Sequence, residues 1–338
     1  MQQNNGKEGY IIIRYATIGS SWIVAEFIKG ARLTPELEWS AMYSRKEETA
    51  KAFMHTLNEE VTIYTSLLEL AKAPSVEGVY VASPNALHYE QCKMLLEHGK
   101  HIICEKSVTA KGEQTKELVR LAREKGLVFM EAIMMLHCPQ RKILLEAMKK
   151  IGNITTAHVD VSKFSSKYPQ LMAGELPNIF NPRLAAGGLM DMGVYGVYPV
   201  LDWFGVPQKL HFSAGFLSSG ADGYGSAQFI YPDRLVTMSY SKVGQSCQGS
   251  QIMGDKGTIV IDRVTQLTGM RVIWQDGSRE ELFGGAEKSA LMGNEARSFY
   301  HYVTNPEQYR EEYQYATHLM MQVSETMEAM RSLAEFPF

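Results

Sequence analysis

The run YIIIRYATIGSSWIV, from Tyr10 to Val24, carries an apolar strand into a helix through a single glycine. Tyr10–Ile18 reads as a buried strand and Ser20–Gly30 as the helix after it. The same alternation continues downstream. Trp39–Tyr43 is a second strand, with a helix near Arg45–His55, and Gly78–Ala82 and His101–Cys104 are further strands. Between them, Asn85–His98 sets Ala86, Tyr89, Cys92 and Leu96 three or four residues apart, which makes one helical face. Lys111–Lys125 does likewise with Leu118, Leu121 and Ala122, and Leu127–Met130 is another short strand. Strands and helices at this spacing imply βαβ units and a doubly wound parallel sheet of Rossmann type over residues 10–132.

After about Glu131 the rhythm changes. Gln140–Lys150 looks helical, and then Ala157, Val159 and Val161 alternate with His158, Asp160 and Ser162 as in a half-buried strand. Val236, Met238 and Tyr240 repeat that pattern. Asp276-Gly277 and Asp255-Lys256-Gly257 are hairpin signals, so antiparallel pairing is expected, and helices near Ser289–Thr304 and Tyr313–Leu333 close the chain. Residues 133–338 therefore read as an α+β domain with a largely antiparallel open sheet. A sheet with helices on one face needs cover on the other, and a homodimer or higher homo-oligomer through this sheet is expected.

Composition narrows the class. A chain of 338 residues suits two cores, and 45% hydrophobic with 21% charged residues is ordinary for a globular protein. A net charge of -3 without long runs of one sign argues against a nucleic-acid surface. No apolar stretch reads as a membrane span, since the run from Tyr10 stops at Arg14. Residues 1–9 are polar, lack a signal-peptide core and read as a short disordered leader. Cys92, Cys104, Cys138 and Cys247 are scattered, and neither they nor the histidines have metal-ligand spacing, so no metal is expected. Free thiols at this density suit the reducing cytoplasm.

Gly19 lies where the first strand meets the first helix, the place of a dinucleotide fingerprint. The full pattern wants three glycines; here Gly19-Ser20-Ser21-Trp22-Ile23-Val24 keeps the first only. Gly19 is thus either a simple turn or the start of a pyrophosphate cradle made by Ser20, Ser21, Trp22 and Ile23. After the second strand, Ser44-Arg45-Lys46 offers cations where an NAD site usually places a carboxylate. This favours NADP over NAD, although Ser44-x-x-Glu47 also reads as a capping box with Arg45 in solvent.

Gly19, Ser83-Pro84-Asn85 with His88, Glu105-Lys106, Phe129-Met130-Glu131-Ala132, the segment Gly187 to Tyr195 and Gly254-Asp255-Lys256-Gly257 occur in this order. Together they resemble the glucose–fructose oxidoreductase / inositol dehydrogenase (Gfo/Idh/MocA) family, on the side of the dimeric dihydrodiol and xylose dehydrogenases. The resemblance covers nearly the whole chain from Arg14 and implies hydride exchange between NAD(P) and a sugar, polyol or related hydroxyl. It implies that Lys106 contacts the reacting oxygen, that Asp191 orients substrate or lysine, and that Tyr195 handles the proton. Ser83, Asn85, His88 and Glu105 would line the cofactor, and Arg183 is a candidate substrate contact. Asp191 and Tyr195, four apart, share a helical face. A nearby ammonium is expected to lower the Tyr195 phenol. Without the resemblance, Lys106 reads as a surface lysine at a strand end and Tyr195 as a core tyrosine. Gly187-Gly188 is expected to let the chain pass close to substrate, or is a plain loop.

Two departures bear on function. Ser107 stands where relatives carry a proline that is often cis, so the turn is either trans or held by packing. Ile133-Met134-Met135-Leu136 replaces a Trp and an Arg common in similar enzymes. The leading expectation is an NADP(H)-dependent dehydrogenase or reductase. The alternatives are an enzyme that keeps bound NAD as an internal redox relay, as in NAD-dependent glycosidases, and a degenerate, non-catalytic nucleotide- or sugar-binding relative.

Overall fold

A computed structural model describes residues 11–338, so the leader expected at residues 1–9, and Tyr10, lie outside the described residues. The first part runs β1 (Ile13–Ile18), α1 (Trp22–Ala31), β2 (Leu37–Tyr43), α2 (Glu47–Leu57), β3 (Thr62–Tyr64) and α3 (Leu67–Lys72). It continues through β4 (Gly78–Val81), α4 (Asn85–Glu97), β5 (His101–Glu105), α5 (Gly112–Glu124) and β6 (Phe129–Ala132). The six strands form one parallel sheet in the order β3-β2-β1-β4-β5-β6. β4 is buried along its whole length, as a central strand covered on both faces must be, and so is β6 at the sheet's edge, against which α11 packs. The order reverses between β1 and β4, and ligands of such sheets bind beyond the strand ends at that crevice.

The second part contains α6 (Met134–His137), α7 (Gln140–Lys150), β7 (Ile154–Ser162) and α8 (Tyr168–Met172), then a π-turn at Leu189–Gly193 leading into α9 (Val194–Phe204). There follow β8 (Lys209–Phe216), β9 (Asp222–Ile230), β10 (Leu235–Ser241), β11 (Ser250–Gly254), β12 (Gly257–Arg263), β13 (Thr268–Trp274) and β14 (Arg279–Phe283). These eight strands make a second sheet, β14-β13-β12-β11-β7-β10-β9-β8. Every pairing is antiparallel except one: β7 and β10, the two strands with the clearest alternation, run parallel, so their ends reach the same edge of the sheet. Ala157, Val159 and Val161 turn inward, while His158, Asp160, Thr237 and Ser239 point to the other face and hydrogen-bond one another.

The chain closes with α10 (Lys288–Thr304) and α11 (Arg310–Leu333). Although both follow the second sheet in sequence, α10 packs on α1, and α11 packs on α5 and β6 as well as on α9 and β8. One continuous apolar core therefore runs from Phe27 and Tyr80 through Met134 to Val159 and Phe229. The run Pro182–Phe204 is long and apolar enough by composition to cross a membrane, contrary to the reading of the sequence alone. Its apolar window is 72% buried inside the protein, as the central helix of a core must be.

Candidate active site

Lys106 follows β5 directly and reaches from the end of the first sheet to the π-turn of the second part. The Lys106–Ser107 peptide is cis, which answers the question left open at that turn. Ser107 Oγ donates to the Met190 carbonyl at 3.0 Å, joining the turn to the π-turn. Lys106 Nζ donates to Asp191 Oδ1 at 2.7 Å and to the Asp191 carbonyl at 2.9 Å, and lies 5.0 Å from the centre of the Tyr195 ring. The three residues expected to act together are thus assembled. Asp191 belongs to the π-turn and Tyr195 to the first turn of α9, so they meet Lys106 from two kinds of helix rather than from one α-helical face.

Sequence reasoning missed a fourth member. Lys242, one residue beyond β10, donates to the other Asp191 oxygen. Its only signal was position: like Lys106, it is a lysine at the end of a strand. Burial by itself would raise the Asp191 carboxyl, but Lys106 and Lys242 outweigh it and hold it well below the usual carboxylate range. Burial likewise opposes charge on Lys106, yet Asp191, Tyr195 and Glu105 keep the ammonium above its ordinary value. For Tyr195 the expectation is overturned: burial lifts the phenol above its ordinary value, because the pull of Lys106 is offset by Glu105, Glu295 and Asp191. Its hydroxyl makes no hydrogen bond to any described residue.

Glu105 accepts from the Tyr80 hydroxyl rather than pairing with Lys106. Tyr80 itself stacks on Phe27, with ring centres 3.8 Å apart. Glu295 of α10 lies close enough to raise Tyr80 and Tyr195, and its own carboxyl, with no hydrogen-bond partner among the described residues, is pushed far up by burial and by the neighbouring Glu105. The cue for Glu295 was in the sequence: it is a carboxylate on the face of α10 that also carries Leu291, Met292 and Phe299.

The crevice between β1 and β4 fits a dinucleotide. Gly19 has φ +112°, and a Cβ there would lie 2.7 Å from the Ala82 carbonyl, so only glycine brings these two strand ends together. Ser20, Ser21 and Trp22 are exposed and Ile23 half-buried at the start of α1. Ser21 makes no side-chain cap and the Val24 N–H donates to the Ser21 carbonyl at 3.0 Å, so of the first turn the Trp22 and Ile23 N–H groups are left for an anion. Lys288 Nζ stands 4.1 Å over the Trp22 ring, adding a cation from α10. After β2, the capping box does not form: Lys46 is the N-cap, and Ser44 Oγ donates to the Lys46 carbonyl at 2.9 Å. Arg45 is exposed and makes no ion pair with a described residue.

Other expected contacts have different partners. His88 is fully buried, its ring nitrogens 3.0 Å from the Ser107 carbonyl and 2.8 Å from that of Ser83, so it ties two turns together instead of facing a cofactor. Ser83 Oγ donates to Gln91 at 2.7 Å, and Asn85 Nδ2 donates to the Ala185 carbonyl at 2.9 Å, fastening α4 to the loop before the π-turn. Arg183 is exposed, with no side-chain partner among the described residues. Gly187 and Gly188 make their close approach to the core: a Cβ on each would meet Asp222 Oδ1 at 2.0 Å and the Tyr240 ring at 2.7 Å. Asp222 in turn accepts from the Leu189 N–H and the Tyr240 hydroxyl, both at 2.6 Å, which fixes the start of the π-turn.

Glu131 braces the site from behind. It accepts from the Val108 N–H at 2.7 Å and from the Tyr198 hydroxyl, linking β6, the turn after Lys106 and α9. Burial lifts its carboxyl from 4.5 to about 7, against the pull of those two bonds. Since the folded value lies above the unfolded one, the protonated form favours the fold. That contribution is complete below about 4.5 and is lost as pH rises through about 7. The shift corresponds to about 3 kcal/mol. Thermal melts of wild type and Glu131→Gln should therefore diverge across this window, the wild type losing stability that the variant retains; parallel curves would refute the assignment.

Comparisons with known proteins give the chain's family and its fold. A family model described as an oxidoreductase family with an NAD-binding Rossmann fold matches residues 13–133. The chain is 34% identical to the scyllo-inositol 2-dehydrogenase (NADP(+)) IolU of Bacillus subtilis, over 83% of this chain and 85% of that protein. It is 26% identical to the trans-1,2-dihydrobenzene-1,2-diol dehydrogenase of Mus musculus, over 80% of each. Among solved structures, KijD10, a 3-ketoreductase from Actinomadura kijaniata in complex with NADP and TDP-benzene, superposes with a TM-score of 0.82 at 23% identity. The match covers 96% of this chain and 98% of that one, a likeness of fold.

Proposed function

The chain belongs to the Gfo/Idh/MocA oxidoreductase family, and from that membership we propose that it uses NADP(H) to interconvert a hydroxyl and a carbonyl on a small sugar or polyol, with Lys106, Asp191 and Tyr195 as its catalytic residues. The observation that carries this reading is Lys106 Nζ, 2.7 Å from Asp191 and 5.0 Å from the Tyr195 ring, at the same end of the parallel sheet as Gly19. Gly19, Ser20, Ser21, Trp22 and Ile23 would hold the diphosphate, and Arg45 the 2′-phosphate. Held by these residues, NADP(H) would supply or take up the hydride at the substrate's hydroxyl- or carbonyl-bearing carbon.

The side chains do the rest. Lys106 holds the reacting oxygen and stabilises the negative charge that develops on it. Asp191 keeps that ammonium charged and aimed. Tyr195, neutral because its phenol is raised, gives its proton to the oxygen as the carbonyl is reduced. Oxidation needs the same phenol to lose its proton first, so activity in that direction should rise with pH. Residues 10–132 would bind cofactor, and residues 133–338 would wall the substrate and associate with a second copy through the outer face of the eight-stranded sheet. We place the protein in the cytoplasm, where its free thiols persist.

Calorimetric titration with NADPH and NADH, followed by a screen of inositols, aldoses and their keto forms, tests this reading. Tighter binding of NADPH and turnover of at least one such substrate are expected; failure to bind either dinucleotide rejects it. Arg45→Ala should weaken NADPH by about tenfold or more, since a charge-assisted bond to phosphate is worth roughly 1.5–3 kcal/mol. NADH affinity should stay nearly unchanged, and equal weakening of both would remove Arg45 from the site.

A further inference from the structure

Lys242 is 5% exposed at its side chain, Lys106 14% and Asp191 32%. The three form a row from the interior outward, in which Asp191 and Lys106 reach the crevice and Lys242 stands behind them. Lys242 is held there on both sides. Its N–H donates to the Gly223 carbonyl at 2.8 Å, its carbonyl accepts from the Ser165 N–H at 2.9 Å, and its ammonium lies 5.8 Å from the Phe180 ring. β10 runs parallel to β7, so Lys242 and the segment after β7 that carries Ser165 leave the sheet at the same end.

We propose that Lys242 is a positioning residue for the reaction: by holding the second oxygen of Asp191, it anchors that carboxylate and keeps it ionised when Lys106 turns to the reacting oxygen. The inference rests on the reading of the reaction given above. With one of its oxygens bound by Lys242, Asp191 does not depend on Lys106 alone for its charge and place, so the Lys106 ammonium is free to turn toward a developing alkoxide. As Lys106 turns a donor toward that oxygen, Lys242 keeps Asp191 charged and in place. The groups facing Asp191 are Lys106 from β5, Lys242 from β10 and Tyr195 from α9, with Glu105 behind Lys106. Arg331 of α11 reaches the neighbouring Met190 sulfur and the Ala110 carbonyl instead.

The test uses the full chain as wild type, Lys242→Met and Lys242→Arg, with melting curves to establish folding. Carboxyl-carbon NMR, with Asp191 assigned through Asp191→Asn, reads its titration without cofactor. Steady-state kinetics reads turnover over the acid range. In Lys242→Met, Asp191 should titrate about one unit or more higher, because an opposite charge at contact distance has been removed. Its kcat should fall about tenfold or more, with a new acid limb and an unchanged KM for NADPH, and Lys242→Arg should restore both. An Asp191 titration that is the same in all three proteins overturns the proposal, whether or not the wild type turns over. A wild type without turnover rejects the reaction assigned above and leaves the titration to decide on the clamp.

Discussion

Lys106→Ala is expected to lower kcat by about 10²–10³-fold while leaving NADPH affinity nearly intact, the loss found when one preorganised donor to a developing oxyanion is removed. The fold should tolerate the change for a reason specific to this site. Asp191 remains paired with Lys242, so no buried carboxylate is stranded, and stranding is what usually makes the breaking of a buried ion pair costly. Steady-state kinetics in the reductive direction, with calorimetry of NADPH, checks both halves. A variant that keeps more than about half of wild-type kcat would show that the oxygen is held elsewhere.

The second large effect concerns the proton. Tyr195→Phe should cost about 10²–10⁴-fold in kcat, the usual range for loss of general acid–base catalysis. Melting temperature should barely move, since the hydroxyl bonds to no described residue and the ring beside Lys106 stays. The pH profile carries a further mark. With the phenol above its ordinary value of 10.0, wild-type reduction should show no loss of activity attributable to Tyr195 below that pH. An alkaline limb near neutrality that disappears in the Phe variant would mean instead that Lys106 lowers the phenol, as its charge alone suggests. Unchanged turnover in Tyr195→Phe would assign proton transfer to another group.

Much of this was legible along the chain because it depends on periodicity and on short motifs. The first sheet was readable because its strands are continuous apolar runs separated by helices with a clear buried face. β3 and α3 escaped notice: Thr62–Tyr64 is too short for a period to register. Lys106, Asp191 and Tyr195 could be named because each lies in a local motif at an element boundary. His88, Asn85 and Glu105 could be named as well, but not their partners. His88 is spent on two backbone carbonyls, Asn85 on the Ala185 carbonyl and Glu105 on Tyr80.

By itself the sequence determined the alternation of strands and helices in the first part, the glycine that lets β1 and β4 meet, and the side chains available for proton and charge transfer, since these follow from backbone geometry and from spacing within a few residues. Tertiary structure alone decided which charges meet. Lys106 and Asp191 are 85 residues apart and Lys242 and Asp191 are 51 apart, so no local pattern links them. It also decided the protonation of Tyr195, because desolvation depends on everything packed around a group, and the single cation visible in the motif is one term among several.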